Sequence, residues 1–457
     1  MPAHVEKGTK SAAARRDGAI FLALGSALFA FLAIATARTP DATASDFQAV
    51  YLAARSAIHG TDPYNPAVLE RAYDGTGPTA ASDSYLSRRV VTVNVNLPSC
   101  LLALAPLASL PWEAARPLWI LLLALTTLIA AWLMWLEAAP YAPIGSAILL
   151  SLLLCTDLVT LDMGNTAGLV IALACIASWL FIRERLVYLG CFILAIGLVI
   201  KPHDAGIVWL YFVLAGAKFR THALRTAAIA IVIAIVSVGW MSHVAPDWMP
   251  ELQRNLAATQ GPGDVNDPGS AAPSATSGDA VIDLQSVTSL INDAPWFYNG
   301  SSYILAGALL LTWCILVLRS DPVARSAWIA LASASALAML PVYHRQHDVR
   351  LVLIAIPACF CLLQLGRRVG RIAIALTALA VFVNGDTPTL ARNMLARVWA
   401  PAMHCFTGKL LTVVLIRPVA PLLLLMGCFY LWALYRESTG REAGAVPTQS
   451  AGMVESA

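Results

Sequence analysis

The sequence predicts an all-α polytopic membrane protein, and two features predict it. Apolar stretches near the roughly 20 residues that cross a bilayer recur along most of the 457 residues. Charge is scarce: 58% of the residues are hydrophobic and 12% are charged, where a soluble domain carries about a quarter charged residues. Mean hydropathy is correspondingly high, at +0.70. A net charge of +3, with no basic run interleaved with aromatics, argues against a nucleic-acid partner. The nine cysteines are scattered, and Cys359 and Cys361 share one apolar segment. They read as small hydrophobes, not as a disulfide framework or a zinc site.

The first element follows a basic cytoplasmic N-terminus, 1–18, with Lys7, Lys10, Arg15 and Arg16. The apolar run 19–36 ends in small residues, Ala35 to Ala37, as a signal-peptidase site would. It is longer than a usual signal core, so it is read as the first membrane helix. Further apolar segments fall at 97–110, 114–136, 143–160, 165–182, 187–200, 203–216 and 224–242, then 301–319, 323–342, 348–365, 371–384 and 409–435. Basic clusters mark cytoplasmic span ends. They occur at Arg183 to Arg185, Lys218 to Arg225, Arg319 to Arg325 and Arg367 to Arg371, and after Tyr435. This places the long loops 38–96 and 243–300 outside, together with 344–347 and 385–408. The parity requires one early segment not to cross, and 97–110, cut by Pro111, is the shortest. The expectation is a transmembrane domain over 19–435 with about 11 to 13 spans, followed by a disordered cytoplasmic tail, 436–457. Within the second outside loop, the Gly-, Pro- and Ser-rich stretch 259–279 reads as flexible linker. The "LQSVTSLI" that follows reads as a short amphipathic helix.

The first outside loop opens with "SDFQAVYLAARSAIHGTDPYNP", Ser45 to Pro66. Ser45 and Gln48 have the spacing of a capping box. Phe47, Val50, Tyr51, Ala54 and Ile58 form one apolar face, and Gly60 is a natural stop. The expectation is a helix lying on the bilayer, apolar face down. Asp46 then falls in the first turn, where the helix dipole favours an ionised carboxylate. Such a group can accept a proton from a substrate hydroxyl, or it can simply stabilise the helix end. The "TDPYNP" that follows is turn chemistry, with Asn65 and Pro66 set to start the next helix.

Two further polar groups stand out. "IKPHD" places Lys201 and His203 at a break in an apolar run. An ionisable residue there is a functional candidate, although a snorkelling lysine is the plain alternative. "YHRQHD" gathers His344, Arg345, His347 and Asp348 at an outside helix start. His344 and His347 are three apart and, with Asp348, carry metal-ligand chemistry. The metal is the weaker reading: a polar helix cap accounts for them plainly, phosphate or sugar contact by His347 and Arg345 is the preferred functional reading, and nothing in the sequence demands a metal or another cofactor.

Taken together, the chain resembles glycosyltransferase family 87, polytopic enzymes of the C-type glycosyltransferase superfamily. The resemblance rests on the Asp46–Tyr64 stretch, on "NLPSCLLALAPLASLP" with Pro98, Pro106 and Pro111, and on "GNTAGLVIALACIA" with Gly164 and Asn165. It continues through "KPHDAGIVWLYFVLAGAKFR" with Lys201 and Pro202, "LQSVTSLI" with Gln285 and Ser286, and "PVYHRQHDVRLVLIAIP" with Pro341, His347 and Asp348. Family members often carry Gln where Asn165 stands. The resemblance implies a C-type glycosyltransferase fold and transfer of a sugar, mannose in the best-known members, from a polyprenyl-phosphate donor to a lipid or glycan acceptor. Asp46 would be the general base. Lys201, His203, Arg345 and His347 would meet the donor phosphate. Asp62, Tyr64, Asn165, Gln285 and Asp348 would line the acceptor and sugar side. The site would face the non-cytoplasmic side of the cell (inner) membrane, amid membrane lipids. A transporter would instead show matching halves and mid-span polar breaks; here no halves match, and the charges cluster mostly at span ends and in outside loops. A lipid-linked glycan ligase or polymerase would lean on Arg and His in its outside loops, and a scaffold would give no reason for Asp46, Lys201 and His347 to cluster at span ends.

Overall fold

The structure, a computed structural model, describes residues 12–39, 44–76, 85–156, 158–261, 264, 266–269, 281–399 and 406–442. The described secondary structure is helical throughout. In chain order the helices are α1 (Ala12–Arg38), α2 (Ser45–Ile58), α3 (Pro66–Asp74), α4 (Tyr85–Thr92), α5 (Pro98–Ala108), α6 (Trp112–Ala138) and α7 (Pro143–Cys155). Then come α8 (Leu158–Met163), α9 (Thr166–Ile182), α10 (Val187–Ile200), α11 (Pro202–Leu214), α12 (Ala217–Val244), α13 (Trp248–Thr259) and α14 (Gln285–Thr288). The last third holds α15 (Pro295–Arg319), α16 (Ala324–Leu337), α17 (Ile356–Cys361), α18 (Arg367–Val383), α19 (Asp386–Trp399), α20 (Phe406–Leu411) and α21 (Val419–Glu442). A 3-10 helix, Gln346–Ala355, leads directly into α17.

Among the described residues, six helical runs are long and apolar enough to span a bilayer, or seven if the bent pair of α18 and α19 counts as one. The other predicted segments are present as shorter apolar helices, among them α5, α7, α9 and α10. Proline sets several of these limits. Pro98, Pro143 and Pro202 each occupy the first helical position, where a missing N–H costs nothing. The predicted segment 143–160 divides into α7 and α8, and 409–435 is interrupted around Arg417 and Pro418 before α21. The start of the predicted tail continues α21 to Glu442, and the rest of it lies outside the described residues, as does most of the linker 259–279.

Packing sorts the helices into lipid-facing and interior. α1 runs along α7, and Gly18 allows the approach: a Cβ there would sit 2.6 Å from the Pro143 carbonyl oxygen. Small residues at a helix seam serve this purpose in membranes, where close van der Waals contact drives association. α12 is peripheral, with only 11% of its apolar window buried, whereas the run Gln346–Gln364 is 94% buried. The polar residues at the start of that run therefore meet protein, not lipid. The eight described cysteines are all free.

Two expectations about α2 are corrected. Its N-cap is Ala44, in a left-handed conformation (φ 38°) with no side-chain cap hydrogen bond, so the Ser45–Gln48 capping box does not form. Instead Ala44 N–H donates to the Asp162 carbonyl at 2.9 Å, and a tertiary contact fixes the helix start. Nor is the apolar face of α2 left open for lipid. Nine of its fourteen residues are buried, Phe47, Tyr51 and Ala54 among them, against α5, α4 and α3. The next helix starts as expected: Asn65 Oδ1 accepts from Ala67 N at 3.0 Å and Pro66 follows it.

Candidate functional site

Asp46 stands half-buried in the first turn of α2. Phe47 beside it stacks on Trp119, with ring centroids 4.8 Å apart and planes at 9°. The Trp119 indole donates to the Gly164 carbonyl at 2.7 Å. Gly164 takes φ +62°, and a Cβ there would come within 3.0 Å of the Phe47 Cβ, so only glycine fits comfortably. The next residue, Asn165, caps α9. Its Oδ1 accepts from Ala167 N at 2.8 Å, and its Nδ2 donates to Asp46 Oδ2 at 2.6 Å. Because the helix end takes the amide oxygen, the amide nitrogen must face the carboxylate. Among the described residues, Asp46 Oδ1 accepts no hydrogen bond.

A second polar group lies where α10 breaks into α11. The Lys201 ammonium, 14% exposed, contacts Asp348 Oδ1 and lies 3.2 Å from Asp204 Oδ2; the Asp204 and Asp348 carboxylates are 0% and 1% exposed. Asp348 Oδ2 accepts from Arg345 N at 2.7 Å. His347 Nε2 is 3.6 Å from Asp348 Oδ1, and its ring is within Coulombic range of Asp46. Asp204 Oδ1 lies 3.5 Å from His344 Nε2 and 4.0 Å from His203 Nε2. The Arg345 guanidinium bonds the Tyr343 hydroxyl, lies over its ring and donates to Asn266 Oδ1 at 3.3 Å. Burial works against charge on His344, but the Asp204 and Asp348 carboxylates outweigh it and raise its pKa.

The predicted residues thus divide. Asp46 and Asn165 form one contact group, and Lys201, His203, Arg345, His347 and Asp348 gather in another. Three others lie outside it. Asp62 Oδ1 accepts from Tyr64 N at 2.9 Å, closing the turn. Tyr64 is fully buried and donates its hydroxyl to the Asn96 carbonyl at 2.8 Å; burial pushes its phenol pKa well up. Gln285 donates to the Pro341 carbonyl at 2.8 Å. The segment before it pairs with the chain near His344, through Ile282 N to the His344 carbonyl and Leu284 N to the Leu340 carbonyl. These three hold the loops that carry the site.

Asp204 is the functional candidate that reading for cations overlooked. Its signal was present: a carboxylate three residues after Lys201 in the same apolar run. Asp62 also faces the second long loop. The Glu251 carboxyl of α13 lies beside it, and this neighbouring carboxyl, with burial, lifts Glu251 to about 7. Along another part of α2 runs an open cleft of about 550 Å³, lined by Tyr51, Arg55, His59, Trp112 and Glu113.

Among the described residues, the Asp46 carboxylate is thus held by one oxygen, and a buried cluster of cations, carboxylates and imidazoles lies between interior helices. The chain matches the model of glycosyltransferase family 87 over residues 95–341, more than half its length, and it belongs to that family. It is a membrane glycosyltransferase. The matched region contains Asn165, Lys201, His203 and Gln285, while Asp46 precedes it and Arg345 to Asp348 follow it. Searches of curated proteins and of solved structures gave no match.

Proposed function

We propose that the protein transfers a sugar, mannose by family resemblance, from a polyprenyl-phosphate donor to a lipid-linked or cell-envelope glycan acceptor. Configuration inverts, and the site faces the non-cytoplasmic side of the cell membrane. Asp46 Oδ1 takes the proton of the acceptor hydroxyl as its oxygen attacks the anomeric carbon. The bond from that carbon to the phosphate oxygen breaks, and the electron pair leaves with polyprenyl phosphate. One carboxylate is enough, because a phosphate needs no strong acid to depart. The developing charge calls for donors already in place. Lys201 has three N–H donors, two of them directed at carboxylates, and the third serves the phosphate beside His203, His347 and Arg345. Asp348 holds Lys201 and the Arg345 backbone in position. Asp62 is assigned to the acceptor side, and Tyr64 and Gln285 act through the loops they fix.

The observation that carries this reading is the 2.6 Å bond from Asn165 to Asp46. It orients the carboxylate and leaves its other oxygen for a substrate. Asp46→Asn tests it. The amide is nearly isosteric and keeps the Asn165 contact, but it cannot take a proton. Transfer by the purified protein should fall ~10²- to 10⁴-fold, with stability changed by about 1 kcal/mol or less. Near-parental turnover would remove Asp46 from the chemistry and return it to a helix-end role.

A further inference from the structure

Two buried carboxylates, Asp204 and Asp348, share the one ammonium of Lys201, with His203, His344 and His347 around them. An ammonium already shared in this way has little of its charge left for a phosphate. One corner of the cluster is also unsatisfied. Asp204 Oδ2 has the Lys201 ammonium at 3.2 Å, but Asp204 Oδ1 and the Nε2 of His344 are buried without a well-formed hydrogen bond, and the 3.5 Å between them is longer than a good hydrogen bond.

The His344 ring orientation sharpens the point. Its Nδ1 lies 2.8 Å from the Val342 carbonyl oxygen. A carbonyl only accepts, so Nδ1 carries the proton, and in the neutral ring Nε2 presents a lone pair. That lone pair faces a carboxylate oxygen, which is also an acceptor. Two acceptors opposed in a fully buried position need a positive charge between them, either a second ring proton on His344 or a bound metal ion. A histidine whose far nitrogen donates to a backbone carbonyl is the usual arrangement of a metal ligand, and it fixes the tautomer that coordinates.

We propose that His203, Asp204 and His344 bind a divalent transition-metal ion of the zinc class. Their ligand atoms, His203 Nε2, Asp204 Oδ1 and His344 Nε2, all lie within 4.8 Å of one another. Bonds of about 2.0–2.1 Å in a tetrahedral site set ligand atoms roughly 3.3 Å apart. Asp204 and His344 are already near that spacing. His203, the exposed member, sits on the first turn of α11 and closes the remaining distance by a small ring movement. The second Asp204 oxygen, 3.2 Å from the Lys201 ammonium, is anchored as ligating carboxylates commonly are. Two imidazoles and one carboxylate select zinc-like ions over magnesium or calcium. Three protein ligands leave a fourth position open, on the side where His203 is exposed. There the ion would supply the positive charge that the cluster lacks for a donor phosphate, a role that rests on the transferase reading.

The test uses the full-length protein in detergent, stripped with a chelator and titrated with Co²⁺. The expected result is one Co²⁺ per chain with the visible absorption of a tetrahedral ion, displaced by Zn²⁺. His203→Ala, at an exposed position, should weaken binding by more than the roughly 10- to 100-fold that loss of an outer-shell partner costs; His59→Ala, in the cleft beside α2, should not. Zn²⁺ should also raise the melting temperature of the parent but not of His203→Ala. Substoichiometric binding, an absent visible band, or identical titrations of parent and His203→Ala would overturn the proposal, leaving a ring proton as the cation between Asp204 and His344. The two readings fail separately: Co²⁺ binding does not depend on Asp46, and the Asp46→Asn transfer assay does not report on His203.

Discussion

Two kinds of charged group in this protein, the Glu–Arg pairs at helix ends and the Lys201 cluster, are built on opposite terms. At the end of α6, Glu137 accepts from Arg183 through both oxygens, at 2.6 and 2.7 Å, and from the Trp328 indole at 3.2 Å. Glu437 on α21 is engaged in the same way by Arg325. Each carboxylate is matched by a guanidinium fork. The Lys201 cluster spreads one ammonium over two carboxylates and leaves Asp204 and His344 atoms unpartnered. Closed, neutral pairs tie helices together. An open cluster between interior helices carries a standing cost, because a buried polar group is left without a well-formed hydrogen bond, and the binding proposed there would offset it.

Mutations should separate the two. The largest effect on stability falls on Lys201→Met, which strands two buried carboxylates; loss of about 3–5 kcal/mol is expected, read by thermal unfolding in detergent. Adding Asp348→Asn should restore part of that loss, and strictly additive effects of the two changes would contradict the coupling. Glu137→Gln comes next. Arg183 is 47% exposed on its side chain and can turn to water, so the cost should be about 1–3 kcal/mol, with transfer activity unchanged. A transfer defect there would erase the distinction between the clusters.

The smallest effect concerns Glu251, whose carboxyl is lifted from 4.5 to about 7 by Asp62 and burial. A carboxyl with a raised folded-state pKa favours folding while it is protonated. That contribution is complete below the unfolded value and is lost as pH rises through about 7. Glu251→Gln, a neutral mimic, should therefore match the parent at acid pH and melt higher than it above neutrality. A melting difference that stays constant with pH would show that the Glu251 proton plays no part in joining the two long loops.

Much of this architecture was legible in the sequence. The bounds predicted for α9 and α10, 165–182 and 187–200, agree with the structure to within a residue, because Gly164, Asn165 and Pro202 are strong local punctuation. The Asn65 cap and the Gly60 stop were legible for the same reason. The start and setting of α2 were not. Its first turn is fixed by Ala44 bonding to Asp162, more than a hundred residues away, and its apolar face is covered by α5 instead of lipid. Periodicity reports that a face is buried and not what buries it. Asp46, Lys201 and His347 could be singled out as ionisable groups at span ends. That Lys201 would be shared between Asp204 and Asp348 required the fold, which brings residues 147 apart in sequence into contact.

The central claim is that this glycosyltransferase draws on a lipid-carried sugar. The direct measurement supplies the purified, reconstituted protein with labelled polyprenyl-phosphate mannose or a labelled nucleotide sugar, using lipid extract from a strain lacking the protein as the acceptor pool. Label should move from the polyprenyl-phosphate donor into the extract, with inverted anomeric configuration, and not from the nucleotide sugar. Label passing from the nucleotide sugar with no lipid donor present would contradict the account.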